Sequence, residues 1–174
     1  MYKIYTDGSC KGNGKDLAIG GIGIAVFEDG KLIKKIHQAY SCTTNNRMEY
    51  KAMIKAMLYV NQNKLDDVTF VSDSKILLST ITEWMISWEK RGWKKSGQGK
   101  AAKIKNLDLV LRLWELKKEL PIKIKYEWVK GHDGDEGNEI ADELTNRLDG
   151  EVFEDKVDYE ILQNYGVSNN LAPR

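Results

Sequence analysis

Alternating and apolar runs in the first forty residues predict an antiparallel meander. The stretch YKIYT at 2–6 is rich in strand-favouring residues and ends at an Asp-Gly pair that is typical of a turn. A polar, Gly-rich stretch at 9–21 predicts a loop. The runs GIGIAVFE and KLIKKIHQAYS then flank Asp29-Gly30, a dipeptide that favours a tight hairpin. We therefore expect three consecutive antiparallel strands.

Helical and strand patterns then alternate along the chain. Apolar residues recur with helical spacing from Arg47 to about Asn63, and DDVTFVSD predicts a short buried strand. SKILLSTITEWMISWEK predicts one or two helices, AAKIKNLDLVLRLWELKKEL another, IKIKYEWVK a strand and IADELTNRL a last helix. Strands four and five each follow a helical crossover, which favours parallel pairing. We predict an α/β fold with a five-stranded mixed sheet flanked by helices.

Length and composition favour one main domain. A chain of 174 residues with 41% hydrophobic residues can bury a full core, and we place the domain at residues 1–150. The sequence after Gly150 is acidic and has no clear hydrophobic periodicity. Residues 151–174 are therefore expected to form an acidic tail or an edge helix. No run approaches the about 20 apolar residues that span a bilayer.

Charge is distributed unevenly, although the formal net charge is only +1. Residues 84–105, the basic block, hold seven Lys or Arg against one Glu. This block favours contact with a polyanion, although a solvated helix face would carry the same charges. The start of the chain lacks the plan of a signal peptide, and two cysteines do not make a disulfide framework. We expect a reduced, cytoplasmic monomer without membrane contact.

Four carboxylates stand near predicted ends of strands and helices. Asp7 ends the first strand and Asp73 the fourth, while Glu49 starts the first helix and Asp142 lies in the last one. If strands one and four are neighbours, Asp7 and Asp73 lie side by side. Glu49 also follows Asn46 by three residues, which is the spacing of a helix N-cap and its reciprocal partner. Glu49 is therefore open to two interpretations, a cap partner or a reactive carboxylate.

Clustered carboxylates require a cation, because like charges at close range raise one another's pKa. Hard oxygen ligands suit Mg²⁺ or Mn²⁺, and two such ions about 3.5–4 Å apart would support a phosphoryl displacement. Each carboxylate alone is equally typical of an ordinary turn or cap.

Five stretches resemble type 1 ribonuclease H in the order of that family: YTDGSCKGN, TTNNRMEY, VSDSK, ITEWMISWEKRGWKK and WVKGHDGDEGNEIAD. The resemblance runs from about Tyr2 to about Gly150 and implies the ribonuclease H fold with a basic helical protrusion. It implies an endonuclease that cleaves the RNA strand of an RNA–DNA hybrid with two Mg²⁺ ions, with Mn²⁺ as a substitute. The products would carry 5′-phosphate and 3′-hydroxyl ends.

The resemblance also implies roles for individual residues. The metal-binding catalytic carboxylates would be Asp7, Glu49, Asp73 and Asp142, and His132 would be the mobile catalytic histidine. Contacts to 2′-OH groups or minor-groove edges would come from Asn13 and Asn45. Thr44 and Asn106, the phosphate pocket, would hold a DNA phosphate. The DNA strand would also contact Trp88, Trp93, Lys94 and Lys95 of the basic block.

Some of these positions have structural alternatives. Asn13 is also a good turn residue, and Trp84 and Trp88 share a helix face on which both would serve as core anchors. We expect Trp84 to be mostly core and Trp88 to face the nucleic acid.

Three positions depart from the family pattern. The loop after Asn13 is about three residues longer than usual, which alters its contacts. Cys42 stands where many relatives carry Arg, and a neutral thiol cannot bind a phosphate in a bidentate manner, so we expect a weaker grip there. Lys75 replaces a common Gln, and its ammonium either alters minor-groove contacts or attracts a phosphate. A nuclease acting on structured DNA and a binding module with an inert site remain the alternative functions.

Overall fold

A mixed β-sheet forms the centre of the molecule, with strand order β5-β4-β1-β2-β3-β6. The structure is a computed structural model, and it describes residues 1–12, 18–121 and 123–167. The strands are β1 (Tyr2–Lys11), β2 (Ile19–Glu28), β3 (Lys31–Ser41), β4 (Val68–Ser72), β5 (Ile124–Trp128) and β6 (Val152–Glu154).

The predicted meander and the predicted parallel strands are confirmed. β1 pairs antiparallel with β2, and β2 with β3, around a turn in which Asp29 and Gly30 both have positive φ. β4 pairs parallel with β1, and β5 parallel with β4. β1 is longer than predicted and runs on to Lys11, because Gly8 and the residues after it keep pairing with β2.

Helices cover both faces of the sheet. They are α1 (Asn45–Asn63), α2 (Lys75–Ser79), α3 (Met85–Lys90), α4 (Leu107–Glu119), α5 (Glu136–Thr145) and α6 (Tyr159–Asn164). A π-helical turn, Thr80–Trp84, joins α2 to α3, and a 3₁₀ turn, Gly99–Ala102, precedes α4. None of the described helices is both long enough and apolar enough to cross a membrane.

The main core lies between the sheet and the helices α1 and α4. Its fully buried members include Ile4, Met53, Phe70 and Leu111. Helix α5 packs on the opposite face, directly over the glycines of β2. A Cβ atom at Gly21 or Gly23 would overlap a backbone carbonyl of α5. These two glycines therefore permit the close approach that brings α5 to β1 and β2.

The described part of the chain contains six strands, one more than predicted. The additional strand β6 pairs parallel with β3 through three residue pairs, beginning at Ala39 and Val152. A strand this short shows no alternation in sequence, so the segment was expected to be a tail or an edge helix. Helix α6 follows it, and its residues Ile161 and Leu162 are buried in the main core.

Candidate active site

Three of the predicted carboxylates converge at one edge of the sheet. Asp7, Glu49 and Asp73 each offer a carboxylate oxygen, and these oxygens all lie within 4.8 Å of one another. The last parallel pair between β1 and β4 is Tyr5 with Val71, so Asp7 and Asp73 each lie two residues beyond it. The predicted proximity of these two residues is confirmed, and the start of α1 adds Glu49.

The local structure at the start of α1 decides between the two interpretations of Glu49. Thr44 is the N-cap, because its Oγ1 accepts a hydrogen bond from the N–H of Arg47 at 3.2 Å. The expectation that Asn46 caps the helix is therefore wrong. Oε1 of Glu49 instead accepts from the N–H of Gly8 at 3.0 Å. Oε2 of Glu49 is buried and has no hydrogen-bond partner among the described residues.

Gly8 brings β1 and α1 into this contact. A Cβ atom at Gly8 would overlap the backbone of Met48 and Glu49. The bare glycine lets its N–H donate both to Oδ1 of Asp7 at 2.9 Å and to Glu49. The side chain of Glu49 is therefore held toward Asp7 and Asp73 rather than turned back toward the N-cap of the helix.

Electrostatics show that this cluster lacks compensation from the protein. Burial raises the pKa of Asp7 to about 7, and the charge of Asp73 adds to the increase, against the opposing hydrogen bonds from the carboxyl group of Glu49 and from the N–H of Gly8. Burial and the neighbouring Asp7 likewise raise the pKa of Glu49 well above its usual value. Within the described ranges no salt bridge involves Asp7, Glu49 or Asp73. An orphaned carboxylate oxygen among hard ligands fits a divalent cation.

Asp142 and His132 stand at the rim of the cluster. The carboxyl group of Asp142 is in hydrogen-bonding contact with Asp7, which helps raise the pKa of Asp7. The Oγ1 of Thr145 donates to the backbone carbonyl of Asp142 at 2.6 Å and accepts from Oγ of Ser9 at 3.0 Å. This pair of hydroxyl groups ties the end of α5 to β1. His132 is 80% exposed, and its Nδ1 lies 4.0 Å from Oδ2 of Asp142.

Two residues near Asp73 were not predicted as parts of the site. The indole N–H of Trp128 donates to the backbone carbonyl of Asp73 at 3.0 Å. A Cβ atom at Gly131 would be 2.5 Å from Oδ2 of Asp73, so only glycine fits this carboxylate without a shift. The ammonium of Lys75 lies 4.5 Å from the ring centroid of Trp128. The only sign of these residues in the sequence was their position along the chain, since Trp128 and Gly131 lie near His132 and Lys75 lies near Asp73.

The residues expected to contact nucleic acid gather near the start of α1. Thr44 and Asn106 contact opposite ends of Arg47: its backbone N–H donates to Oγ1 of Thr44 at 3.2 Å, and its Nη1 donates to Oδ1 of Asn106 at 3.5 Å. Oδ1 of Asn45 accepts from the backbone N–H of Cys10 at 2.6 Å, which ties the helix to β1. Asn13 and its loop lie outside the described residues.

The basic block is partly as predicted. Lys94 and Lys95 are exposed, whereas Trp88 and Trp93 are buried in the main core with 9% and 7% exposure. The expectation that Trp88 faces outward and Trp84 inward is wrong, because Trp84 is 39% exposed. The π-helical turn inserts an extra residue into one turn of the helix and so shifts the face presented by the residues after it.

Comparison with known proteins agrees with this geometry. The family model for RNase H matches residues 1–148. A ribonuclease H of Polaromonas naphthalenivorans (strain CJ2) is 43% identical over 144 residues, which cover 83% of this chain and 84% of that protein.

Solved structures give the same result. LC9-RNase H1, a type 1 RNase H with the type 2 active-site motif, is 31% identical with a TM-score of 0.69, and the match covers 83% of this chain and 69% of that chain. LC11-RNase H1, solved in complex with an RNA/DNA hybrid, shares the fold at 24% identity and a TM-score of 0.59, over 85% of this chain and 96% of that chain. The chain belongs to the ribonuclease H family.

Proposed function

We propose that the protein is an endonuclease that hydrolyses the RNA strand of RNA–DNA hybrids with two divalent metal ions, leaving 5′-phosphate and 3′-hydroxyl ends. The observation that carries this proposal is the uncompensated cluster of Asp7, Glu49 and Asp73, with oxygens within 4.8 Å of one another. A buried, unpartnered Oε2 on Glu49 supports it, because a carboxylate oxygen without a donor is costly unless a ligand binds it.

The cluster would hold Mg²⁺, or Mn²⁺ in its place, through Asp7, Glu49 and Asp73, with Asp142 completing the set. When bound, the two ions supply Lewis-acid stabilisation of the attacking and leaving oxygens of the phosphodiester. Gly8 and Trp128 orient the ligand-bearing residues through their hydrogen bonds to Glu49 and to the carbonyl of Asp73.

His132 would move protons at the edge of this site. Its imidazole is exposed and lies 4.0 Å from Asp142, so it reaches both solvent and the carboxylate cluster. An imidazole can both accept and donate a proton, and such a group serves to protonate a leaving oxygen or to assist product release.

Substrate choice would rest on the surface around the start of α1. Amides both donate and accept hydrogen bonds, as required to recognise a 2′-OH, and Asn45 is placed at the junction of β1 and α1. The phosphate pocket and the exposed Lys94 and Lys95 would hold the DNA strand. LC11-RNase H1, which shares this fold, was solved with an RNA/DNA hybrid. Cys42 in place of a common Arg would weaken the phosphate contact, and Lys75 would act on the minor groove.

A substrate panel tests this function. Matched RNA–DNA hybrid, double-stranded RNA and double-stranded DNA are incubated with the protein in Mg²⁺, Mn²⁺ or EDTA. Cleavage of only the RNA strand of the hybrid, lost in EDTA, is the expected result. Equal cutting of duplex DNA would instead indicate a different nuclease, and binding without cutting would indicate an inert module.

Glu49→Gln adds a test of the site itself. Mutating a residue that only hydrogen-bonds to a metal ligand typically lowers activity by about 10- to 100-fold. We expect a larger loss of activity in Glu49→Gln, because Glu49 would be a ligand itself. The circular dichroism spectrum should not change, because Gln keeps the shape of the side chain. Glu143→Gln, an exposed carboxylate next to Asp142, is the matched control and should keep full activity. Unchanged activity in Glu49→Gln would contradict the metal-ligand role.

A further inference from the structure

Residues 152–167, here named the β6–α6 brace, follow the region that the RNase H family model matches, which ends at residue 148. The brace comprises β6, the turn at Asp155, α6 and the residues up to Val167. It pairs with β3 and packs into the main core, and two of its other contacts lie beside residues expected to hold the DNA strand.

The first contact is a buried ion pair. Asp155 is fully buried, and its Oδ2 accepts from Nε of Arg47 at 2.7 Å and from Oγ1 of Thr43 at 2.8 Å. Its Oδ1 accepts from Nη2 of Arg47 at 3.0 Å. The N–H of Asp155 also donates to the carbonyl of Ser41 at 2.9 Å. The carboxylate therefore enters the fold where β3 ends and the chain turns toward α1.

Arg47 connects Asp155 to the two residues of the phosphate pocket through hydrogen bonds. Its backbone N–H donates to Thr44, and its Nη1 donates to Asn106 at 3.5 Å and to Oδ1 of Asp108 at 3.0 Å. The side chain of Arg47 is only 1% exposed, so it has little freedom to change partners. Oδ2 of Asp108 accepts from the N–H of Asp158, a second link from the brace, at 3.2 Å.

The second contact lies at the base of the basic block. The ring of Tyr165 packs edge-on against Trp93 with centroids 5.9 Å apart, and Trp114 packs on Trp93 at 5.4 Å. Trp93 directly precedes the exposed Lys94 and Lys95. The brace thus fixes the aromatic anchor from which these two lysines project.

We propose that the β6–α6 brace positions the surface that binds the DNA strand of the hybrid. Asp155 acts through Arg47 on the phosphate pocket, and Tyr165 acts through Trp93 on the basic block. Asp155 and Tyr165 are positioning residues, since neither is placed to touch the substrate. This inference rests on the proposed function, because it assigns the brace to the hybrid site of that enzyme.

The metal cluster has separate supports, which makes the inference specific. Glu49 is held by Gly8, and Asp73 by Trp128, and neither contact involves the brace. Loosening the brace should therefore weaken hybrid binding and leave the turnover of bound substrate nearly unchanged.

The test uses the full chain with Asp155→Asn and Tyr165→Leu, at a temperature where circular dichroism shows each variant to be folded. We expect KM for the hybrid to rise about 3- to 30-fold in each, the range of coupling seen along connected networks. The value of kcat should stay within about twofold, because no group acting in the transition state is lost. Tyr159→Leu is the matched control, since Tyr159 belongs to the same segment and is 61% exposed.

A phosphate scan separates positioning from general loosening of the fold. Hybrids carry one neutral methylphosphonate at a time along the DNA strand, and binding is measured in the Asp7→Asn background, which should leave the RNA uncut. With Asp155 and Tyr165 unchanged, the protein should bind the hybrid more weakly when one or more particular phosphate linkages are neutralised. Asp155→Asn should lose this sensitivity at the linkage that occupies the phosphate pocket, and Tyr165→Leu at linkages near the basic block.

Two results would overturn the inference. One is an unchanged KM in both variants while the wild-type protein cleaves the hybrid, which leaves the proposed function standing. The other is an unchanged pattern of methylphosphonate sensitivity in both variants, even if KM rises. A wild-type protein that neither binds nor cuts the hybrid would instead remove the proposed function on which the brace depends. If Asp155→Asn does not fold, Tyr165→Leu decides alone.

Discussion

Two buried carboxylate clusters flank the first turns of α1. They differ in whether a cationic side chain of the protein compensates for their negative charge. No cationic side chain among residues 1–12, 18–121 and 123–167 forms a salt bridge with Asp7 or Glu49, and burial raises the pKa of both. Asp155 is also buried, but hydrogen bonds and charge from Arg47, helped by Lys51 at 3.3 Å, outweigh burial and lower its pKa. The two clusters use the same chemical group on one helix, with opposite shifts in pKa.

A structural carboxylate can be distinguished from a reactive one by what compensates for its burial. Removing a carboxylate from water costs several kcal/mol, so a fold keeps it buried only if something compensates for the cost. At Asp155 the compensation is internal and permanent. At Asp7 and Glu49 it must come from outside, which is what a metal-binding site requires. The same substitution, Asp to Asn, should therefore have opposite effects on stability at the two clusters.

Asp155→Asn should have the largest effect on stability. It leaves Arg47 buried with only one of its two carboxylate partners, and breaking such a buried pair costs about 3–5 kcal/mol. We expect a loss of this size in the free energy of unfolding, measured by urea denaturation at pH 7. Asp158→Asn is the control, because Asn caps a helix as well as Asp does and the side chain at this position caps α6. Equal stability of the two variants would show that the ion pair is not what holds the brace.

Asp7→Asn should have the opposite effect on the metal-free protein. The native pKa of Asp7 is raised from 3.8 to about 7, so the folded state keeps a proton that the unfolded chain releases. This difference lowers stability as the pH rises from about 4 to about 7. In EDTA at pH 8 the variant should be about 1–3 kcal/mol more stable than the wild type, with a smaller gain at pH 5.

Mg²⁺ should reverse this order. A ligand at 100 times its Kd stabilises the folded state by about 2.7 kcal/mol, and only the wild-type cluster keeps its full charge for the ion. Urea denaturation of both proteins at pH 8, with and without Mg²⁺, measures the effect. A wild type that is more stable than Asp7→Asn in EDTA would contradict the view that this cluster lacks internal compensation.

The smallest change in stability is expected in the basic block. Lys94→Gln with Lys95→Gln removes exposed charges that have no part in either cluster, so the free energy of unfolding should change by less than about 0.5 kcal/mol. KM for the hybrid should rise, and the dependence of log affinity on log salt should fall by up to about two units, one for each lost phosphate contact. An unchanged salt slope would exclude these lysines from the DNA interface.

Parallel pairing of the later strands was predictable, and the convergence of Asp7 and Asp73 was expected if β1 and β4 were neighbours, which they are. Parallel pairing after a helical crossover places the ends of β1 and β4 at one edge, and the pairing of Tyr5 with Val71 fulfils this expectation. The cap at Thr44 was harder to predict, because TTNN offers four residues that favour an N-cap and tertiary contacts choose among them. The prediction of which of Trp84 and Trp88 is buried was wrong, because no local sequence pattern marks a π-helical turn.

The paired cluster could not be predicted from any local pattern. Arg47 finds its partners 61 residues away at Asp108 and 108 residues away at Asp155. Arg47 also lies inside a polar motif that reads as surface, next to Asn45 and Asn46, which are exposed. Burial of such a residue follows only when the chain after β5 and α5 returns to β3. Long-range ion pairs of this kind leave no periodicity in the sequence.

The pairing of Arg47 with Asp155 has a consequence for the order of synthesis. Arg47, in the first turn of α1, is synthesised early. Its partner Asp155 is synthesised 108 residues later. At about 5–20 residues per second, a ribosome needs roughly 5–20 s to cover that interval. During this time the growing chain holds an incomplete charge balance beneath the phosphate pocket. We therefore expect the surroundings of Arg47 at the start of α1 to be among the last parts of the nascent protein to become rigid.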